Sequence, residues 1–257
     1  MPGVADQIGL TVARLRNLHK LTVRLWFRDH FGQQSLGWLK RAVANNPNLT
    51  HLVLYQTRIL PGLISLSDLF EDIPSERPLR LKHIRLSSHY YQITPTILPH
   101  IRSLRSLNVH FPFWHGADEI DTVWSALQRE EIYVYEIQTN RVTSRFLEYL
   151  RHFDHLSVLS ICGSGCTGNE FDAQNMTILL KILEQHSMRR LRIEPFNWGK
   201  WSQCCNQASI NNLKQLHGIV LHSGRSCGWD SNPSLGWDSL ADDVVSNSLA
   251  TTYFLCE

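Results

Sequence analysis

The chain has 257 residues, of which 43% are hydrophobic and 19% charged, with a formal charge of +2. This composition supports a buried core and excludes the disordered class, while a pI near 8.2 excludes the basic footprint of a nucleic-acid or anionic-membrane binder. No stretch reaches the ~18 consecutive apolar residues of a membrane span, and MPGVADQIGL lacks the basic start and apolar run of a secretion signal. An intracellular protein, cytoplasmic or nuclear, is therefore expected, and its six cysteines are too sparse and irregular for a disulfide framework.

In chain order, Ile8, Val12 and Leu15 sit at helical spacing and predict a capping helix within residues 1–17. From Leu18 to about residue 224 the pattern L-x-x-L-x-L recurs eight times, with any apolar residue allowed at the Leu positions. The copies are Leu18-Leu21-Val23, Leu49-Leu52-Leu54, Leu81-Ile84-Leu86, Leu104-Leu107-Val109, Ile132-Tyr135-Ile137, Leu156-Leu159-Ile161, Met188-Leu191-Ile193 and Leu216-Ile219-Leu221. Their first residues are 31, 32, 23, 28, 24, 32 and 28 apart. Between copies the apolar period changes from 2 to 3.6, as strand gives way to helix. Leu36, Leu39, Lys40 and Val43 form the first such stripe, stopped by Asn45-Asn46-Pro47, and Leu63, Leu66, Leu69 and Phe70 the second. Pro95 and Pro99 limit the third to a turn. Ile120, Val123, Trp124 and Leu127, then Phe146, Leu147 and Leu150, then Met176, Leu179, Leu180 and Leu183 mark three more helices. The tail, 225–257, carries Leu235, Leu240, Val244 and Leu249 at spacings that predict a C-terminal cap or an unstructured end.

The positions between the apolar ones test this reading. Offsets two, four and six from each first residue point to the opposite face of a short strand. Of those 24 positions only Val53, Val134, Val158, Cys162 and Val220 are aliphatic or thiol. Each copy is thus predicted as a strand that is apolar on one side and wet on the other. A unit of about 28 residues burying three strand side chains at ~1.5–3 kcal/mol each cannot offset ~1–2 kcal/mol of backbone ordering per residue. The units must stack, which makes 1–257 one elongated domain.

The strand motif with intervening helices resembles the leucine-rich repeats, and the uneven period is similar to the irregular repeats that follow the F-box in fungal F-box proteins. The resemblance covers 18–221 and implies an α/β solenoid of about eight irregular repeats, with a curved parallel sheet on the concave side and helices on the convex side. It also implies a non-enzymatic protein-binding scaffold, the substrate-recognition part of a ubiquitin-ligase receptor. The family places Asn or Cys eight residues after the first Leu, whereas this chain has Trp26, Thr57, His89, Pro112, Asn140, Ser164, Phe196 and Gly224, so only Asn140 matches. No F-box can be read in these residues, and a Skp-type adaptor would be a partner only through an F-box outside them.

A partner is expected on the wet strand face, which holds His51, His83, His110 and His222 together with Lys20, Arg24, Arg85, Arg190 and Arg192, against Glu136 and Glu194. The candidate contact residues are Arg24, His51, Tyr55, His83, Arg85, His110, Glu136, Arg190, Arg192 and Glu194. This mildly basic stripe suits an acidic protein partner. No catalytic residue, cofactor or metal site is expected. The run Gly163-Ser164-Gly165-Cys166-Thr167-Gly168 has dinucleotide-binding spacing and supplies the alternative of a dinucleotide-dependent enzyme. However, its helix stripe starts near Asp172, too late to offer its N-terminus to a phosphate, and a repeat loop is the simpler reading. Cys162, Cys166, Cys204 and Cys205 lack zinc-site spacing and read as incidental thiols. A further alternative is an incomplete repeat fragment with no function of its own.

Overall fold

The computed structural model describes residues 11, 14–25, 32–56, 66–74, 76–87, 96–110, 117–162, 173–186, 188–194, 219–222 and 253–255. Strands and helices alternate: β1 (Lys20–Leu25), α1 (Gly32–Ala44), β2 (His51–Gln56), α2 (Leu66–Phe70), β3 (His83–Ser87), α3 (Leu98–Ile101), β4 (Ser106–His110), α4 (Ala117–Arg129), β5 (Glu136–Thr139), α5 (Ser144–His152), β6 (Val158–Cys162), α6 (Ala173–Leu183) and β7 (Arg190–Glu194). Two more strands, β8 (Ile219–His222) and β9 (Tyr253–Leu255), continue the sheet. All neighbours pair in parallel and the spatial order is the chain order, β1 to β9. The protein is therefore α/β, with an open parallel sheet.

One apolar core joins sheet and helices. Leu21, Leu52, Ile84, Leu107, Ile137, Leu159 and Leu191 stand in register across seven strands. They share a cluster with Leu39 and Val43 of α1, Phe70 of α2, Ile101 of α3, Trp124 and Leu127 of α4, Phe146 and Leu150 of α5, and Leu179 and Leu183 of α6. The helices accordingly cover one face of the sheet. Pro99 at the start of α3 leaves a four-residue turn, as the prolines predict. Thr143 caps α5, its hydroxyl oxygen accepting the Phe146 N–H at 3.3 Å.

Buried polar side chains fasten the connections. Asn46, fully buried, accepts the Leu18 N–H at 2.8 Å and donates to the Leu15 and Ala42 carbonyls, joining the end of α1 to the entry of β1. His100 Nδ1 accepts the Leu79 N–H at 3.1 Å while its ring stacks on Phe70 at 5.1 Å. His186 Nε2 donates to the Leu150 carbonyl at 3.1 Å and ties the residues after α6 to α5.

The fifth motif copy needs correction. Glu136 pairs with Ser106 and Val158, which puts the first position of that copy at Val134 and its apolar set at Val134, Ile137 and Thr139. The flanking spacings become 30 and 22. Val134 is fully buried whereas Tyr135 is 44% exposed. The strand entries show why: the carbonyls of His19, Thr50, Lys82, Arg105, Tyr135 and Ser157 each accept two N–H groups from the next entry, at 2.8–3.1 Å. Tyr135 thus occupies the polar entry position and not a core position. Val134 ceases to be an exception to the wet face, and Asn140 no longer matches the family asparagine, because Val142 now holds that offset. Thr139 fits a leucine position because its hydroxyl donates to the Arg141 carbonyl and accepts the Arg141 N–H, both at 3.2 Å.

At the ends, Thr11 and Arg14 are helical, but Leu15 lies beyond the helix and is exposed, so it does not cover β1 as predicted. Ile8, Val12, Leu63 and the tail stripe Leu235 to Leu249 lie outside the described residues, as does Gly163–Gly168. β9 falls in a tail predicted as cap or unstructured.

Candidate functional site

The face of the sheet opposite the helices carries two complete rows of side chains. One runs Lys20, His51, His83, Ser106, Glu136, Val158, Arg190, and the other Thr22, Val53, Arg85, Asn108, Gln138, Ser160, Arg192. Alternation along each strand puts them here, because the residues between them are claimed by the core. The face is less wet than alternation alone implies. Val53, Ser106, Asn108 and Ser160 are buried, while His51, His83, Arg85, Glu136, Gln138, Arg190 and Arg192 are half-buried. Each buried side chain is short and stands in register beside at least one longer one: Val53 beside Arg85, Ser106 between His83 and Glu136, Asn108 between Arg85 and Gln138, Ser160 between Gln138 and Arg192. With strands ~4.8 Å apart, long neighbours shade short ones.

The candidate residues divide into two groups. His51, His83 and Arg85 lie close together on β2 and β3, next to Lys20, and the two imidazoles stack with centroids 5.6 Å apart. The Thr50 hydroxyl lies 2.9 Å from His51 Nδ1. Arg190 and Arg192 share β7, four strands from β3, or roughly 19 Å at the usual strand spacing. Glu136 stands between the groups on β5. Arg24, Tyr55, His110 and Glu194 fall at open-face positions of their strands, where Arg24 pairs with Tyr55, Ser87 with His110 and Cys162 with Glu194. Their side chains lie outside the described residues.

The sequence reading missed the centre of this face. Asn108 donates its side-chain amide to Gln138 Oε1 across β4 and β5, joining two strands at the middle of the stripe. Both occupy wet-face offsets in either alignment of the fifth copy, but uncharged amides gave no signal to single them out. The arrangement offers hydrogen bonds and two basic groups separated by a polar centre, which is recognition chemistry. Among the described residues no three His, Cys, Asp or Glu side chains cluster in a way that could hold a metal ion, and no helix is long and apolar enough to cross a membrane. No protein-family model matches the chain, and no curated protein is significantly similar to it.

Proposed function

We propose that this chain is a leucine-rich-repeat solenoid acting as a non-enzymatic protein-binding scaffold, with its partner held on the open, concave side of the sheet. The observation that carries the reading is the division of the sheet. One face is consumed by the helices, while the other presents two registered rows of polar and basic side chains across seven strands. A row spanning seven strands is roughly 29 Å long, enough for a folded partner or an extended segment. The excess of Lys20, Arg85, Arg190 and Arg192 over Glu136 on that face favours an acidic partner.

Substrate recognition in an F-box type ubiquitin ligase is the specific form of this proposal, motivated by the uneven repeat spacing. It requires a Skp-type adaptor bound through an F-box outside these residues. Native affinity capture followed by mass spectrometry tests both levels. A reproducible protein partner that is lost on Arg190→Glu with Arg192→Glu supports the scaffold, and co-recovery of a Skp-type adaptor supports the ligase assignment. Retention of every partner by the double variant contradicts the open-face site.

A further inference from the structure

The open face carries its charge in two separate groups and not as an even stripe. On β1 to β3, Lys20, His51 and His83 stand in register in one row, and Arg85 stands in the next row on the same strand as His83. On β7, Arg190 and Arg192 occupy the same two rows. Between the groups these rows hold one charged side chain, Glu136 on β5, two strands or about 10 Å from each. β4 and β6 contribute only the short side chains of Ser106, Asn108, Val158 and Ser160, so no long side chain bridges the gaps.

Parts of both groups are fixed in place. The Thr50 hydroxyl donates to the His19 carbonyl at 3.1 Å, so in its 2.9 Å contact with His51 Nδ1 it accepts, and the ring donates. That ring also stacks on His83, and Arg190 and Arg192 are half-buried along β7. Side chains already ordered lose little entropy on contact. Among the described residues the ion pairs lie away from this face, at Lys40 with Glu71, Arg129 with Glu130, Arg145 with Glu148 and His155 with Asp154. In the two rows Lys20, Arg85, Arg190 and Arg192 outnumber the carboxylate of Glu136. An extended chain advances about 3.3 Å per residue and turns alternate side chains to one side. Its residues i and i+6 therefore face the same way about 20 Å apart, which matches the roughly 19 Å from β3 to β7. Residues i+2 and i+4 then fall over Glu136.

We infer, resting on the open-face reading above, that the partner presents an extended segment lying across the strands, with two acidic residues six positions apart and no acid at the facing positions between them. The outer carboxylates engage the β1 to β3 group and the β7 group, and Glu136 repels acids at the centre. The spacing of the acids, and not their number, then sets specificity.

The test is a calorimetric titration of the full chain at about 20 mM salt, where charge contacts are weakly screened. The probes are two isomeric heptapeptides, Glu-Thr-Ser-Thr-Ser-Thr-Glu and Ser-Thr-Glu-Thr-Glu-Thr-Ser, both N-acetylated and C-amidated, with the same composition and charge. The spaced peptide is expected to bind at least about tenfold more tightly than its isomer, because only it reaches both groups. Lys20→Gln with Arg85→Gln, and separately Arg190→Gln with Arg192→Gln, should each bring the two peptides within about twofold of one another, with unchanged circular dichroism as the folding control. Glu136→Gln should raise the isomer's affinity, a gain that loss of folding cannot imitate. Equal binding of the two peptides, no binding of the spaced peptide, a preference that survives removal of either group, or no gain from Glu136→Gln overturns the inference. Native capture scores the scaffold separately: a partner lost on Arg190→Glu with Arg192→Glu leaves that reading standing when the spacing fails.

Discussion

Tyr149 is fully buried, and its hydroxyl is the partner of two backbone groups, the Val134 N–H at 2.9 Å and the Ile132 carbonyl at 3.0 Å. Burial raises the pKa of this phenol, so it stays neutral and able to donate. Tyr149→Phe keeps the packing against Trp124 and Phe153 but strands both backbone groups, and should cost about 1–3 kcal/mol in urea unfolding. Two histidines make stability depend on pH. Burial lowers the pKa of His100 and of His186 from the ordinary 6.5, opposed at His186 by its hydrogen bond to Leu150. The unfolded chain therefore binds protons first as pH falls. The stability they contribute is complete above about pH 6.5 and is lost as pH falls from there through the lowered folded values. Protonation of His100 also removes the lone pair that accepts the Leu79 N–H. Urea unfolding at about pH 7.5 and pH 5.5 should show the lower stability in acid, and His100→Gln, which keeps an acceptor without a titrating ring, should flatten that dependence.

At the scale of the element, the strands and most helices were legible because each rests on a period that burial enforces. Leu39 and Val43, Val123 and Leu127, Phe146 and Leu150, and Leu179 and Leu183 are buried where a 3.6-residue stripe places them. The fifth strand was not legible, because Ile132-Tyr135-Ile137 and Val134-Ile137-Thr139 overlap. Only the entry bonds between Tyr135 and Arg105, and the turn that satisfies the Thr139 hydroxyl, choose between them. The two alignments make opposite forecasts. Val134→Asp puts a carboxylate in the core and should destabilise by more than about 3 kcal/mol, whereas Tyr135→Asp at an exposed entry position should cost less than about 1 kcal/mol. A reversed order in thermal melts restores the sequence alignment. Across the sheet, Leu159→Asp should unfold the protein while Val158→Asp, half-buried between Glu136 and Arg190 in register, should be tolerated. The candidate site was legible in its charged residues, which alternation assigns to one face, and illegible where function would rest on amides. Asn108 and Gln138 on their strands are ordinary residue types by composition, and only their positions in space set them apart.

For the whole molecule, parallel strands in chain order and a single shared core make each unit depend on its neighbours. The same order places basic groups from distant parts of the sequence on one surface: Lys20, His51, His83 and Arg85 from the first three strands, and Arg190 and Arg192 from the seventh. On the proposed reading this open face, and not the charge of the chain at large, holds a protein partner. Quantitative native capture with Arg190→Glu plus Arg192→Glu, set against Arg189→Glu plus Lys181→Glu, separates the two. Both pairs make the same change in net charge, but Arg189 lies at the strand entry and Lys181 on α6, both exposed. Recovery of the native chain's partner is expected to fall by at least about tenfold with the first pair and to be kept with the second. Equal loss from both pairs, or retention by both, contradicts it.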